Sequence, residues 1–211
     1  IGAWIRDSMA GIGTMTYYDP DSGSFGALGH GITDTDTALL MPFASGSILP
    51  STVKAVKKGA VGDAGELRGD FDLSCDLGDL SANTASGIFG TLDPGEFTER
   101  LGDPMPVAAA AEVHAGPATI LSNVEGDSVE EYDIEILQVV EDPADGRDLV
   151  ISVTDPELLA ATGGIVQGMS GSPILQDGKF AGAVTHVLLN DPSKGYGILM
   201  ETMLEAGENT A

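Results

Sequence analysis

The amino-acid sequence predicts a mainly β protein, all-β apart from a few short helices, built as two packed strand-rich halves. Three observations carry this. Gly (29 residues) and Pro (11 residues) punctuate the chain between short runs of Val, Ile, Thr and aromatic residues, the spacing of many short strands. Helical signals are confined to two short segments. The stretch Leu92–Pro106 (LDPGEFTERLGDPMP) is polar, carries three prolines and divides the 211 residues into halves 1–95 and 107–211 of a single domain, which suggests two β-barrels.

Each element has its own signature. Gly13–Tyr18 (GTMTYY) alternates and runs into the turn Asp19-Pro20-Asp21-Ser22-Gly23. Tyr132–Val140 (YDIEILQVV) alternates apolar and acidic residues, and the turn Asp142-Pro143-Ala144-Asp145-Gly146 separates it from the strand Leu149–Val153. Pro156–Ala161 reads as a short helix, with Asp155 as N-cap and Pro at the first helical position. Phe180–Leu189 (FAGAVTHVLL) is an apolar strand, and Glu201–Ala206 a terminal helix closed by Gly207.

Composition bounds the function. With 42% hydrophobic residues and a mean hydropathy of +0.11 the chain has enough apolar surface to fold. Its net charge of −24 opposes nucleic acid and anionic membrane surfaces as partners. Cys75 is the sole cysteine, so there is no internal disulfide and no four-cysteine zinc site. No apolar run approaches the roughly 20 residues of a membrane span, so no lipid insertion is expected, and a start at Ile1 reads as an excised or processed piece.

The segment with the clearest chemistry is Gly168-Met169-Ser170-Gly171-Ser172-Pro173, preceded by Gly163-Gly164-Ile165-Val166-Gln167. A nucleophilic hydroxyl needs a tight loop whose N–H groups face the oxyanion of a tetrahedral intermediate, and flanking glycines allow that approach. Gly168 and Ser170 N–H are the expected donors. A base is needed, and the imidazoles are His30, His114 and His186. His30, in GALGHGI, stands where an apolar strand ends beside a loop. His114, in EVHAG, reads as a surface residue, and His186 as structural or pocket-lining. The orienting carboxylate stays open: Asp155 is one choice, and Asp34, Asp36, Asp70, Asp72, Asp76 and Asp79 are others. A Ser170–Lys179 dyad is a weaker option, since Lys179 reads as a turn residue. No zinc-helix spacing, complete calcium loop, phosphate loop or dinucleotide fingerprint occurs, so neither metal nor cofactor is expected.

Several blocks together resemble the peptidase domain of the stage IV sporulation protein B (SpoIVB) serine peptidase family. They are Trp4-Ile5-Arg6-Asp7, Ala10–Thr14, Phe25–His30, Gly87–Gly90, Gly116–Ala118, the whole run Gly163–Pro173, Val184–Val187 and Asn190-Asp191-Pro192. The resemblance implies a chymotrypsin-like double β-barrel and a serine endopeptidase. In it His30 is the general base, Ser170 the nucleophile and Asp155, fifteen residues before the serine, the orienting acid. Thr185 and His186 are candidate supporting residues. It further implies protein or peptide substrates, autoproteolysis and sporulation signalling by cleavage of a membrane-bound regulator. The setting implied is the space between forespore and mother cell of a spore-forming bacterium. The family's membrane anchor and PDZ domain are not in this sequence, and that PDZ domain is an expected partner. The alternative reading is a silent or gated protease-like domain that binds a peptide or partner protein. The acidic surface leads us to expect preference for basic or neutral peptide segments.

Overall fold

The computed structural model describes residues 10–210 apart from 35, 43, 96, 97, 141, 142, 144 and 145. Trp4–Asp7, and Asp142, Ala144 and Asp145 of the predicted turn, lie outside the described residues.

The carboxy-terminal half closes on itself. β8 (Gly116–Glu125), β9 (Ser128–Val139), β10 (Leu149–Val153), β11 (Pro173–Gln176), β12 (Lys179–Val187) and β13 (Lys194–Leu199) form a closed antiparallel barrel in the order β10-β13-β12-β11-β8-β9. Alternation explains it: β8 buries every second residue from Ala118 to Val124, and β9 buries Tyr132, Ile134 and Ile136 while its charged residues face outward. Ile120, Ile136, Leu149, Ile151 and Ile174 are fully buried inside.

The amino-terminal half is open. β1 (Met15–Tyr18), β2 (Ser24–Ala27), β3 (Ser47–Ile48), β6 (Gly78–Thr84) and β7 (Gly87–Leu92) form a five-stranded half-barrel in the order β1-β2-β7-β6-β3, with a core of Phe25, Ala27, Ile88 and Leu92. The strands between β3 and β6, β4 (Ser51–Lys57) and β5 (Glu66–Phe71), leave this sheet as a two-stranded ribbon. The molecule is thus a closed barrel beside a half-barrel. The segment after β7 crosses over and fastens to the barrel, where Phe180 N–H donates to the Pro106 carbonyl at 2.9 Å and Ala108 N–H to the Phe180 carbonyl at 3.0 Å.

Two helices complete the fold. α1 (Pro156–Thr162) starts at Asp155, whose carboxylate accepts from Glu157 and Leu158 N–H at 2.8 and 2.9 Å, and ends at Gly163. α2 (Met200–Glu208) packs on strands of both halves through Met200 and Met203, which join Phe89, Ala183 and Ile198 in one cluster. Gly207 does not stop α2 as the sequence suggests; it lies inside the helix. A Cβ there would stand 2.9 Å from the Tyr17 hydroxyl and 3.1 Å from the Phe89 ring, so it is the close approach of helix to half-barrel that takes a glycine.

Candidate active site

His30 leaves β2 through a strained turn. Leu28 and Gly29 both adopt left-handed φ near 69°, which for leucine is a sterically costly conformation held in place by its surroundings. Leu28 N–H donates to the Thr14 carbonyl at 3.1 Å and Gly29 N–H to the Ala27 carbonyl at 2.9 Å. The turn carries the half-buried His30 ring to the barrel, where it packs on His186 with centroids 4.8 Å apart and planes at 38°. His30 Nδ1 lies 2.9 Å from the Gly31 carbonyl oxygen. A carbonyl only accepts, so this contact assigns the proton to Nδ1 and leaves the Nε2 lone pair available as a base.

Ser170 reaches the same place from the barrel. β12 carries a bulge between Val184 and His186 in its pairing with β13. The bulged Thr185 drops out of the ladder, and its carbonyl accepts the Ser170 hydroxyl at 2.9 Å. Ser170 and His30 therefore converge on the dipeptide Thr185-His186, one through its carbonyl and the other through its ring. The Thr185 side chain is buried, and among the described residues its Oγ1 has no hydrogen-bond partner.

The loop around Ser170 is stapled on every side. Met169 N–H donates to Val166 O, Ser172 N–H to Met169 O, Gly171 N–H to Val184 O and Val184 N–H to Ser172 O, at 2.7–3.1 Å. Thr14 holds it from the half-barrel: its N–H donates to the Ser170 carbonyl at 2.9 Å and its hydroxyl to the Gly168 carbonyl at 3.2 Å. Gly171, at φ 93°, is required here, since a Cβ would sit 2.2 Å from the Thr14 carbonyl oxygen. Among the described residues, Gly168 and Ser170 N–H donate to no protein acceptor, while Met169, Gly171 and Ser172 N–H all do. Two unspent donors, the serine's own amide and that of Gly168 two residues before it, are the raw material of an oxyanion hole.

The remaining candidates lie elsewhere. Asp155 is not joined to His30 by any hydrogen bond or ion pair: its carboxylate caps α1 and also accepts from Asp133 N–H at 3.4 Å. In this arrangement the group on His30 Nδ1 is the Gly31 carbonyl in place of a carboxylate. Asp34 accepts from Asp36 and Thr37 N–H within its own turn, and Asp72 accepts from Ser74. Lys179 is paired with Glu112. His114 is exposed and pairs with Asp177 at 3.1 Å, and its pKa is raised first by the Ala115 carbonyl and then by Asp177. Among the described residues no group of three His, Cys, Asp or Glu side chains is arranged to hold a metal, and no helix is long and apolar enough to cross a membrane. Sequence reading missed Thr14, the Gly31 carbonyl and the ribbon. The first reads as an ordinary strand residue, and the second acts through backbone that no motif records.

A family model, described as SpoIVB peptidase S55, matches residues 1–204. The chain belongs to the SpoIVB peptidase family. As a member it is a serine endopeptidase acting on protein or peptide substrates. No curated protein matches the sequence. Among solved structures the chain is similar to the Rv3671c protease of M. tuberculosis. Its active form is 13% identical with a TM-score of 0.43, covering 82% of this chain and 94% of that one. A serine-to-alanine mutant in an inactive form is 15% identical with a TM-score of 0.45, covering 79% and 81%.

Proposed function

We propose that this peptidase works by acyl transfer through Ser170 and His30. The observation that carries the reading is the pattern of backbone donors: among the described residues Gly168 and Ser170 N–H have no protein acceptor, while Met169, Gly171 and Ser172 N–H are all spent. In the resting arrangement the Ser170 hydroxyl is held by Thr185 O, so a rotation about its Cα–Cβ bond precedes attack. His30 Nε2 then takes the hydroxyl proton as Oγ bonds to the peptide carbonyl carbon, and Gly168 and Ser170 N–H accommodate the oxyanion. The imidazolium returns that proton to the leaving amine, and water, deprotonated in turn by His30, releases the acyl group.

Nδ1–H donation to Gly31 keeps the correct tautomer throughout, with the charge on the imidazolium opposed by a carbonyl dipole. Asp155, the acid expected from the family resemblance, has its helix-capping bonds as its supported role in this arrangement. Thr185 supports the site by storing the hydroxyl, and His186 by packing on the base. The wider setting we propose by family likeness is sporulation signalling. It comprises self-cleavage, cleavage of a membrane-bound regulator, a PDZ domain as partner, and export to the space between forespore and mother cell.

Cleavage of an unfolded protein substrate, followed by mass spectrometry of the products, tests the catalytic core. Ser170→Ala and His30→Ala are expected to abolish it while leaving the circular dichroism spectrum unchanged. Cleavage by folded Ser170→Ala at the wild-type rate overturns the assignment.

A further inference from the structure

The β4–β5 ribbon belongs to neither sheet, yet it is not a free arm. Val53 exchanges two backbone hydrogen bonds with Gly126, at 3.1 and 3.0 Å, Gly59 N–H donates to Thr162 O at 2.8 Å, and Lys58 Nζ reaches the Ala160 carbonyl. Its third attachment is to the serine loop itself: Leu67 N–H donates to the Gln167 carbonyl at 2.8 Å, and Gln167 N–H to the Gly65 carbonyl at 3.3 Å. Val53 and Leu67 are buried in the same apolar cluster as Val166 and Met169 of that loop.

The attachment falls on one particular bond. The Gln167 carbonyl and the Gly168 N–H are opposite ends of one planar trans peptide, so they point in opposite directions. Pinning the carbonyl to Leu67 therefore turns the Gly168 N–H away from the ribbon, and it is this N–H that, among the described residues, has no acceptor. The Leu67 side chain backs the same peptide: a Cβ on Gly168 would stand 3.0–3.2 Å from three of its carbons. A glycine at this position rotates its peptide at little steric cost, so the orientation needs an external hold.

We propose that Leu67 is a positioning residue for the reaction, acting through the Gln167–Gly168 peptide: the ribbon orients the Gly168 oxyanion donor from the other half of the molecule. This rests on the acyl-transfer reading above. When the hold is loosened the peptide rotates, the donor is lost from the cleft, and the tetrahedral intermediate loses one of its two hydrogen bonds.

The test uses the full chain with Leu67→Ala, Leu67→Met, and a form in which the α-hydroxy analogue of leucine replaces Leu67, exchanging its N–H for an ester oxygen and keeping the side chain. Two readouts are taken: kcat and KM on a peptide substrate, and the backbone ¹⁵N–¹H resonance of Gly168. The ester form and Leu67→Ala are expected to lower kcat about 10- to 100-fold, part of the loss seen on deleting an oxyanion donor, with KM within about threefold. The Gly168 resonance is expected to move in both, and Leu67→Met to restore kcat and resonance. If Leu67→Ala unfolds, the ester form decides. Unchanged kcat in a folded ester form, or a fall in kcat with the Gly168 resonance unmoved, overturns the proposal. A wild type that cleaves nothing defeats the acyl-transfer reading instead, and the Gly168 resonance still decides whether the ribbon orients that peptide.

Discussion

Replacing Asp155 by asparagine and by alanine separates its two conceivable roles. Its Oδ1 accepts Glu157 N–H at 2.8 Å and Leu158 N–H at 2.9 Å, two of the amides that the first turn of α1 leaves without intrahelical partners. Asparagine presents the same acceptor and is an equally good cap, giving up only the few tenths of a kcal/mol that a carboxylate gains from the helix dipole. Alanine leaves both amides unpaired, which costs about 1 kcal/mol and, for a domain of this size, roughly 2–4 °C in Tm. Neither change touches His30, whose Nδ1 proton goes to Gly31. The expected outcome is that Asp155→Asn retains Tm within about 1 °C and kcat within about threefold, while Asp155→Ala loses stability more than rate. Thermal unfolding and steady-state kinetics on the same preparations measure both. A carboxylate that orients the base behaves otherwise, since an amide in its place stabilises the wrong tautomer at a cost of about 10⁴-fold in kcat. Asp155→Asn with an intact Tm and a loss of that size would refute the reasoning and make Asp155 the orienting acid.

Three further outcomes follow from the structure. Thr14→Val keeps the backbone bond to Ser170 but removes the hydroxyl donated to Gly168 O, so Tm is expected to fall by roughly 2–4 °C, the equivalent of about 1 kcal/mol; an unchanged Tm contradicts the clamp. The raised pKa of His114 means that its charged form favours the folded state, a contribution complete below the unfolded value of about 6.5 and lost as pH rises through the folded pKa. An NMR titration is expected to place that pKa above 6.5 and to show it falling in Asp177→Asn; equal values in both proteins contradict the pairing. With a net charge of −24, cleavage of Lys/Arg-rich peptides is expected to exceed that of Asp/Glu-rich ones at low salt, with the gap narrowing as salt screens the field; identical rates at two salt concentrations contradict this.

What could be read from the sequence was what local chemistry controls. The β9 and β10 strands announce themselves by alternation, because one face of a closed barrel is wholly dry. Asp155-Pro156 announces a helix start, and the structure uses it as one. The glycines around Ser170 were legible because a tight loop excludes side chains: a Cβ on Gly171 would meet the Thr14 carbonyl oxygen at 2.2 Å. The ribbon was not legible: β4 buries only Val53 fully, carries lysines on its open positions and lacks a dry face, so its strands look like a charged loop. The closure of one half and not the other was equally hidden, because it depends on where β4 and β5 go rather than on any pattern within β1, β2 or β7. The meeting of Ser170 and His30 was inferable only as a pairing of types. The bulge at Thr185 and the strained Leu28 that bring them to one dipeptide are backbone events with no signature in residue identity.

The proposed acyl transfer requires Ser170 to be an activated nucleophile served by His30. Treatment with a fluorophosphonate, followed by intact mass and peptide mapping, measures this directly. The wild-type protein is expected to gain one adduct, mapped to Ser170, with labelling lost in Ser170→Ala and His30→Ala. A folded wild type that takes no label, or a label mapped to Ser172 or another serine and retained in His30→Ala, would contradict it.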